Sequence, residues 1–393
     1  MSEKVIREVS DGRLLPRIDT AVPFKAALVL FWARLGSLNA LGTTGAARFW
    51  KQWLGEDLCS ADTIGRVHAL MDAQGLRKGL HRVYACLKRN KALRALGGWE
   101  VAVLDGHETH SSYRRHCLGC LKRTLHTSAG KRTQYYHRHV TLLLLTEKLR
   151  LLLDMEVQRP GEDEVTTALR LVERVVQVYP RAFKVVLADA LYAEARFVNF
   201  LFSQRKHVLI VLKDERRDLY RDALALFGLQ QPQSGRYRNR QCLWWDVQDL
   251  NTWPQVRAPL RVVRSQETYF VRRQMTGDLE QQNTEWMWVS TLTQSEASTD
   301  WVVRLGHARW DIENYGFNEL VNAWHADHVY KHDSRAMETF ALVAFLAYNL
   351  FHAFLILNLK PQLRRARTES FWARAMAAEI YQDALESRAG HPP

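Results

Sequence analysis

Two short apolar runs constrain this chain most: W-E-V-A-V-L-D over 99–105 and F-K-V-V-L-A-D over 183–189. Each sets aliphatic residues back to back instead of alternating them with polar ones. That pattern belongs to a strand buried on both faces, in a sheet covered by helices. Each run also ends on an aspartate, Asp105 and Asp189. Open α/β sheets bind their ligands beyond the carboxyl ends of strands, so both carboxylates fall where chemistry is done.

The flanking sequence builds the rest of the sheet. Strands are predicted at 100–105, 135–146 and 149–158, the last two separated only by Glu147 and Lys148 and so forming a hairpin. Pro160 and Gly161 end it. A helix at 162–179, a strand at 183–189, a helix at 193–205 and a strand at 207–213 follow. This β-β-β-α-β-α-β order predicts an α/β fold with a mixed sheet flanked by helices. Around that core, 1–97 reads as a helical N-terminal region to which DNA-end binding is open as a role, although no helix-turn-helix signature stands out. Residues 98–214 form the first part of the core, 215–285 a β-rich insertion, 286–358 the second part of the core, and 359–393 a basic helical tail. The greasy stretch 340–359 approaches membrane-spanning length, but Tyr348, Asn349 and His352 interrupt it, so it reads as a buried core helix. With no apolar signal core at the N-terminus, the expected location is the cytoplasm.

Charge narrows the partners. Lys and Arg number 55 against 42 Asp and Glu, a net charge of +13, which favours DNA or RNA over an acidic membrane. Five cysteines, an odd and sparse set, argue against a disulfide framework and for a reducing compartment. Between Thr109 and Thr146 there is no acidic residue. Arg114, Arg115, Lys122, Arg123, Lys131 and Arg132 lie there with Tyr113, Tyr135 and Tyr136 among them. These basic residues are expected to contact DNA phosphates, the plainer alternative being a solvated basic loop. Cys117-Leu-Gly-Cys120 has zinc-ligand spacing, with His116, His126, His137 and His139 nearby; a structural zinc and free cysteines in a loop both fit. H-E-T-H at 107–110 lacks metalloprotease spacing, and L-G-T-T-G at 41–45 lacks a P-loop ending. Trp244, Trp245 and Trp253 are candidates for base stacking.

The third informative tract is R-W-D-I-E-N-Y-G-F-N-E-L, 309–320. Arg309 and Glu313 are four apart and share a face if the segment is an α-helix. Asp105, Asp189 and Glu313 offer oxygen donors only, which suit Mg²⁺ or Mn²⁺ rather than zinc. Two such ions bridged by carboxylates supply what phosphodiester chemistry needs.

Together, D-G-H-E-T-H-S-S (105–112), A-D-A-L-Y-A (188–193) and the 309–320 tract resemble the three motifs of bacterial insertion-sequence transposases of the DDE type, close to the IS4-like group. The resemblance implies an RNase H-like catalytic core with a β-strand insertion before the glutamate. It assigns catalysis and metal binding to Asp105, Asp189 and Glu313, and a phosphate-contacting role to Arg309. It implies two Mg²⁺ or Mn²⁺ ions and, as partner, double-stranded DNA, both element ends and target. It further implies a homodimer in the synaptic complex, no membrane, and a nucleoid-associated place in the cytoplasm. The activity implied is binding of terminal inverted repeats, then endonucleolytic cleavage and strand transfer of the cut-and-paste type. Two positions depart from the group: a Tyr three residues before the Arg and a Lys seven after the Glu are replaced by Gly306 and Leu320. A metal-dependent nuclease of the same fold, or a catalytically silent DNA-binding descendant, is the alternative.

Overall fold

A computed structural model describes residues 6, 9–128, 130–213 and 217–389. Among the described residues, ten strands form one mixed sheet flanked by helices: β1 (Val101–Ser112), β2 (Leu121–Thr127), β3 (Gly130–Leu145), β4 (Arg150–Val157), β5 (Val185–Ala188), β6 (His207–Val211), β7 (Gln233–Tyr237), β8 (Arg240–Leu250), β9 (Leu260–Arg272) and β10 (Leu279–Ser290). Neighbours run β2-β3-β1-β5-β6-β10-β9-β8-β7, and β4 pairs with β3. The chain divides into two compact units. One comprises 1–98, 106–179 and 313–393; the other comprises 99–105 and 180–312.

In the second unit, the start of β1 lies parallel to β5, and β5 parallel to β6. Val101 to Leu104 and Val185 to Ala188 are all buried, as continuous apolar runs require. The helix Ala195–Ser203 makes the crossover that two parallel strands need. From β6 the direction alternates: β6, β10, β9, β8 and β7 pair antiparallel in turn. This is the β-rich segment before the glutamate, but a helix not foreseen, Asp218–Phe227, precedes its strands. Leu219, Ala223 and Phe227, four apart, form its buried stripe.

In the first unit, the helix Ser334–Leu357 packs against helices Ala21–Trp32, Ala61–Leu70 and Ala73–Arg89 and against β4. It is long and apolar enough to cross a membrane, yet 72% of its most apolar window is buried inside the protein. Its polar interruption has a specific job. Asn349, buried, accepts from the backbone N–H of Leu152 at 2.9 Å and donates to the Leu152 carbonyl at 2.8 Å, closing the β4 edge. His352 is likewise committed: its two ring nitrogens lie 3.0 Å from Glu319 and 3.4 Å from Glu369. Burial alone would lower this imidazole, but those carboxylates overcome it and raise the pKa to about 9.

The hairpin of β3 and β4, the helix Glu164–Val178, β5 and β6 follow the expected order. Two further features differ from the sequence reading. β1 does not stop at Asp105 but continues through the polar tract to Ser112, and the basic segment, after a loop over 113–120 that carries Arg114 and Arg115, forms the hairpin β2–β3, paired from Leu121↔Tyr136 to Thr127↔Gly130. An exposed hairpin buries only every other side chain on one face, and β2 has few large apolar residues to mark that alternation.

Candidate active site

Three of the residues singled out from sequence lie in the second unit: Asp105, Asp189 and Arg309. β1 and β5 are paired Val101↔Val185, Ala102↔Val186 and Val103↔Leu187. The same register carried two residues further sets Asp105 level with Asp189, on adjacent strands about 4.8 Å apart. Side chains alternate with period two, so both aspartates point to the face taken by Val101 and Val185. Continued in this way, the register brings Asp105, inside β1, beside Asp189, which directly follows β5. Asp189 has a second duty: it caps the short 3₁₀ turn Ala190–Tyr192, one oxygen accepting from the Leu191 N–H at 2.9 Å. That bond fixes the rotation of the carboxylate.

Arg309 ends the helix Thr299–Ala308 and reaches Asp105, Nη1 to Oδ2 at 3.3 Å, with both side chains largely buried. Its guanidinium also lies over the Trp310 ring at 4.4 Å. Aromatic packing holds the helix that presents it. Trp286 and Trp288 stack with ring centroids 6.1 Å apart, and His307 stacks on Tyr237 at 4.4 Å while its Nε2 meets Glu267 at 2.6 Å. Burial would raise the Glu267 carboxyl, but hydrogen bonds from His307, Arg240 and Ser265 hold it below the usual range. Gly306 explains one departure from the IS4-like pattern. A Cβ at this position would come within 2.3 Å of Trp288, so a tyrosine cannot occupy it without expelling that indole. Leu320, the other departure, is buried.

Glu313 belongs to the first unit. The continuous α-helix expected to carry Arg309 and Glu313 on one face is not what the chain forms. The α-helix stops at Ala308, a turn follows, and Glu313 lies in a π-helical segment, Ile312–Phe317. Such one-turn π segments recur at functional sites because the wider turn re-aims a side chain.

The basic residues divide by their surroundings. Arg114, Arg115, Lys122, Lys131 and Arg132 are exposed on or beside the β2–β3 hairpin. Arg132 lies over the Tyr113 ring at 4.9 Å and Lys122 over Tyr135 at 5.8 Å, which orders long side chains without neutralising them. Arg123 differs: it makes a bidentate pair with Glu108, both bonds 2.7 Å, and a third bond to Gln134. This pairing joins the hairpin to β1 and balances part of its charge. Replacing Lys131 and Arg132 together by Gln is expected to weaken DNA binding and flatten its salt dependence, the slope falling by about 0.9 for each phosphate that is no longer neutralised. Fluorescence titrations at several salt concentrations read both effects.

The tryptophans do not all suit base stacking. Trp244 is buried against Gly235, Trp245 lies under Arg264 at 4.9 Å, and Trp253 under Arg217 at 4.9 Å. Trp244 is a core residue. Of the histidines near the cysteine pair, His116 stacks on Tyr135, His126 is exposed on β2, and His139 is buried beside His107 and Phe345. Only His137 faces the cysteines, joined by His332, which the spacing of the motif did not reveal.

The sequence matches the family described as transposase DDE domain over residues 65–350, more than two-thirds of the chain. The chain belongs to this family. No curated protein matches it. The mixed ten-stranded sheet flanked by helices is accordingly the RNase H-like fold of a DDE transposase. Family membership gives the chain a transposase or nuclease role on DNA, and divalent metal ions as the usual cofactors of that chemistry.

Proposed function

We propose that this DDE domain is a DNA transposase of IS4-like type, with Asp105, Asp189 and Glu313 as its catalytic carboxylates. The observation that supports the reading is the parallel register of β1 and β5 up to Val103↔Leu187, whose continuation by two residues brings Asp105 beside Asp189, in a chain of this family. Their donor set is all oxygen, which fits Mg²⁺ or Mn²⁺. Glu313, four residues along the chain from Arg309, supplies the third carboxylate. When bound, a pair of such ions supplies an activated oxygen nucleophile and stabilises the pentacovalent phosphorus and the leaving oxygen.

The protein's own side chains do the rest. Asp105 and Asp189 would hold those ions, the latter oriented by its bond to the Leu191 N–H. Arg309 balances Asp105 before cations arrive and is positioned to meet a phosphate oxygen afterwards. Arg114, Arg115, Lys122, Lys131 and Arg132 grip the backbone of the duplex, and the helical N-terminal region reads the element end. In this reading the enzyme binds terminal inverted repeats, cuts at their ends, and directs the freed 3′ hydroxyl at target DNA. Two ends must be held together, so at least two copies of the chain act on the DNA, in the cytoplasm where the nucleoid lies.

The test is a joining assay. Purified protein is incubated with Mg²⁺, a target plasmid, and duplexes taken from the DNA on either side of the reading frame. Covalent end–target products are expected. Cleaved ends without joined product would favour the nuclease, and binding without any cleavage would favour a silent DNA-binding descendant.

A further inference from the structure

We infer that Cys117, Cys120, His137 and His332 form a structural zinc site, separate from the DDE carboxylates and within a single unit of the fold. Four ligand atoms, two sulfurs and two imidazole nitrogens, all lie within 4.8 Å of one another. The individual edges are more telling. Cys117 Sγ and Cys120 Sγ are 3.8 Å apart, and His137 Nε2 lies 3.4 Å from the first and 3.3 Å from the second. Zinc–sulfur bonds of about 2.3 Å and zinc–nitrogen bonds of about 2.0–2.1 Å at tetrahedral angles give edges of about 3.8 Å and about 3.5 Å. The three edges that join the two sulfurs and His137 already have about these lengths, and His332 lies within 4.8 Å of all three atoms.

Competing accounts fit less well. A disulfide brings its sulfurs to about 2.05 Å, far closer than these. A thiol–imidazole hydrogen bond explains one cysteine beside His137, not two sulfurs converging on the same nitrogen. Sulfur donors disfavour Mg²⁺ and Ca²⁺, and all four positions are filled by protein, which marks a structural rather than a catalytic zinc. Two thiolates and two neutral imidazoles also cancel the charge of a divalent ion, so the site can be half-buried at low cost.

The local chain is built for the task. The backbone N–H of Cys117 donates to Cys120 Sγ at 3.2 Å, and the N–H of Cys120 to the Cys117 carbonyl at 3.2 Å, closing a tight turn around the pair. Gly119 inside that turn has no room for a side chain, since a Cβ would meet Ser334 Cβ at 2.9 Å. His137 is buried on β3. His332 directly precedes Asp333, which caps the helix Ser334–Leu357 by accepting from the N–H groups of Arg335 and Ala336. Three distant stretches are thereby tied at one point: the turn before β2, strand β3, and the loop that follows the Glu313 segment. The site fastens the root of the basic hairpin, so it sets where Lys122, Lys131 and Arg132 meet DNA.

The test begins with full-length protein, purified without a polyhistidine tag and analysed for metal. About one zinc per chain is expected in the wild type, and near-complete loss in Cys120→Ser and in His332→Ala. Asp189→Asn should keep its zinc, which separates this site from the catalytic one. Because a ligand variant can fail to fold, Co²⁺ exchanged into wild-type protein gives a second reading: tetrahedral S₂N₂ coordination produces intense visible absorption. A wild type that holds no zinc, or zinc retained by both ligand variants, or Co²⁺ with only the weak absorption of an octahedral ion, would overturn the proposal.

Discussion

Asp189→Asn should abolish cleavage of element ends while leaving DNA binding nearly unchanged. The substitution keeps the shape of the side chain and the oxygen that caps the Ala190–Tyr192 turn, so the strand end and its 3₁₀ turn stay in place. What it removes is one of the proposed metal-holding carboxylates, which directly follows β5 two residues beyond the last pair of its register with β1. A divalent ion stabilises phosphodiester transition-state charge by several kcal/mol, and each 1.36 kcal/mol is about tenfold in rate. A fall on the order of 10³-fold or more in end cleavage is therefore expected, with the dissociation constant for the same duplex within about twofold. Gel-resolved cleavage time courses and parallel binding titrations measure the two quantities. Cleavage at the wild-type rate would sink the assignment of Asp189.

The largest stability effect is expected at a different carboxylate, Asp246→Ala. Arg261 is 1% exposed and depends on Asp246 on β8 for its charge balance, with Nε to Oδ1 at 2.8 Å. The rest of its guanidinium donates to the carbonyls of Thr293 and Ala297, at 3.0 and 2.7 Å, and Thr299 donates to the same aspartate at 2.6 Å. Removing one partner of a buried pair strands the other charge and costs about 3–5 kcal/mol. At about 2–4 °C per kcal/mol for a unit of this size, the melting temperature should fall by roughly 10 °C. Replacing both partners, Asp246→Leu with Arg261→Met, should recover much of the loss, because matched apolar groups leave no unpaired charge. Differential scanning calorimetry distinguishes the cases. A single variant as stable as wild type would show that solvent reaches Arg261 more freely than its burial indicates.

The parts of this protein that were legible from sequence share a physical cause. β1 and β5 were readable because a strand buried on both faces must be apolar at every position, and that leaves a continuous run. Asp189 was readable because it directly follows a buried strand, where such sheets face the ligand side, whereas Asp105 proved to lie inside β1, which runs on to Ser112. β2 was not readable, since an exposed hairpin carries no such run, and the helix Asp218–Phe227 was hidden inside a region dominated by strand signals. Asn349 looked like an interruption of an apolar helix and proved to be the residue that closes β4. The C-x-x-C spacing marked a pair of thiols, yet His332 lies too far along the chain for any local pattern to join it to them.

The sequence by itself determined the order of strands and helices from β3 to β6, the basic balance, and the identity of three acidic tracts, because local periodicity and residue chemistry are written one position after another. Tertiary structure alone decided the partners: which strand lies beside β1, that Arg309 meets Asp105, that Arg123 is spent on Glu108, and that two cysteines and two histidines converge. Those pairings join residues far apart along the chain, and only burial of a shared core brings such residues within bonding distance.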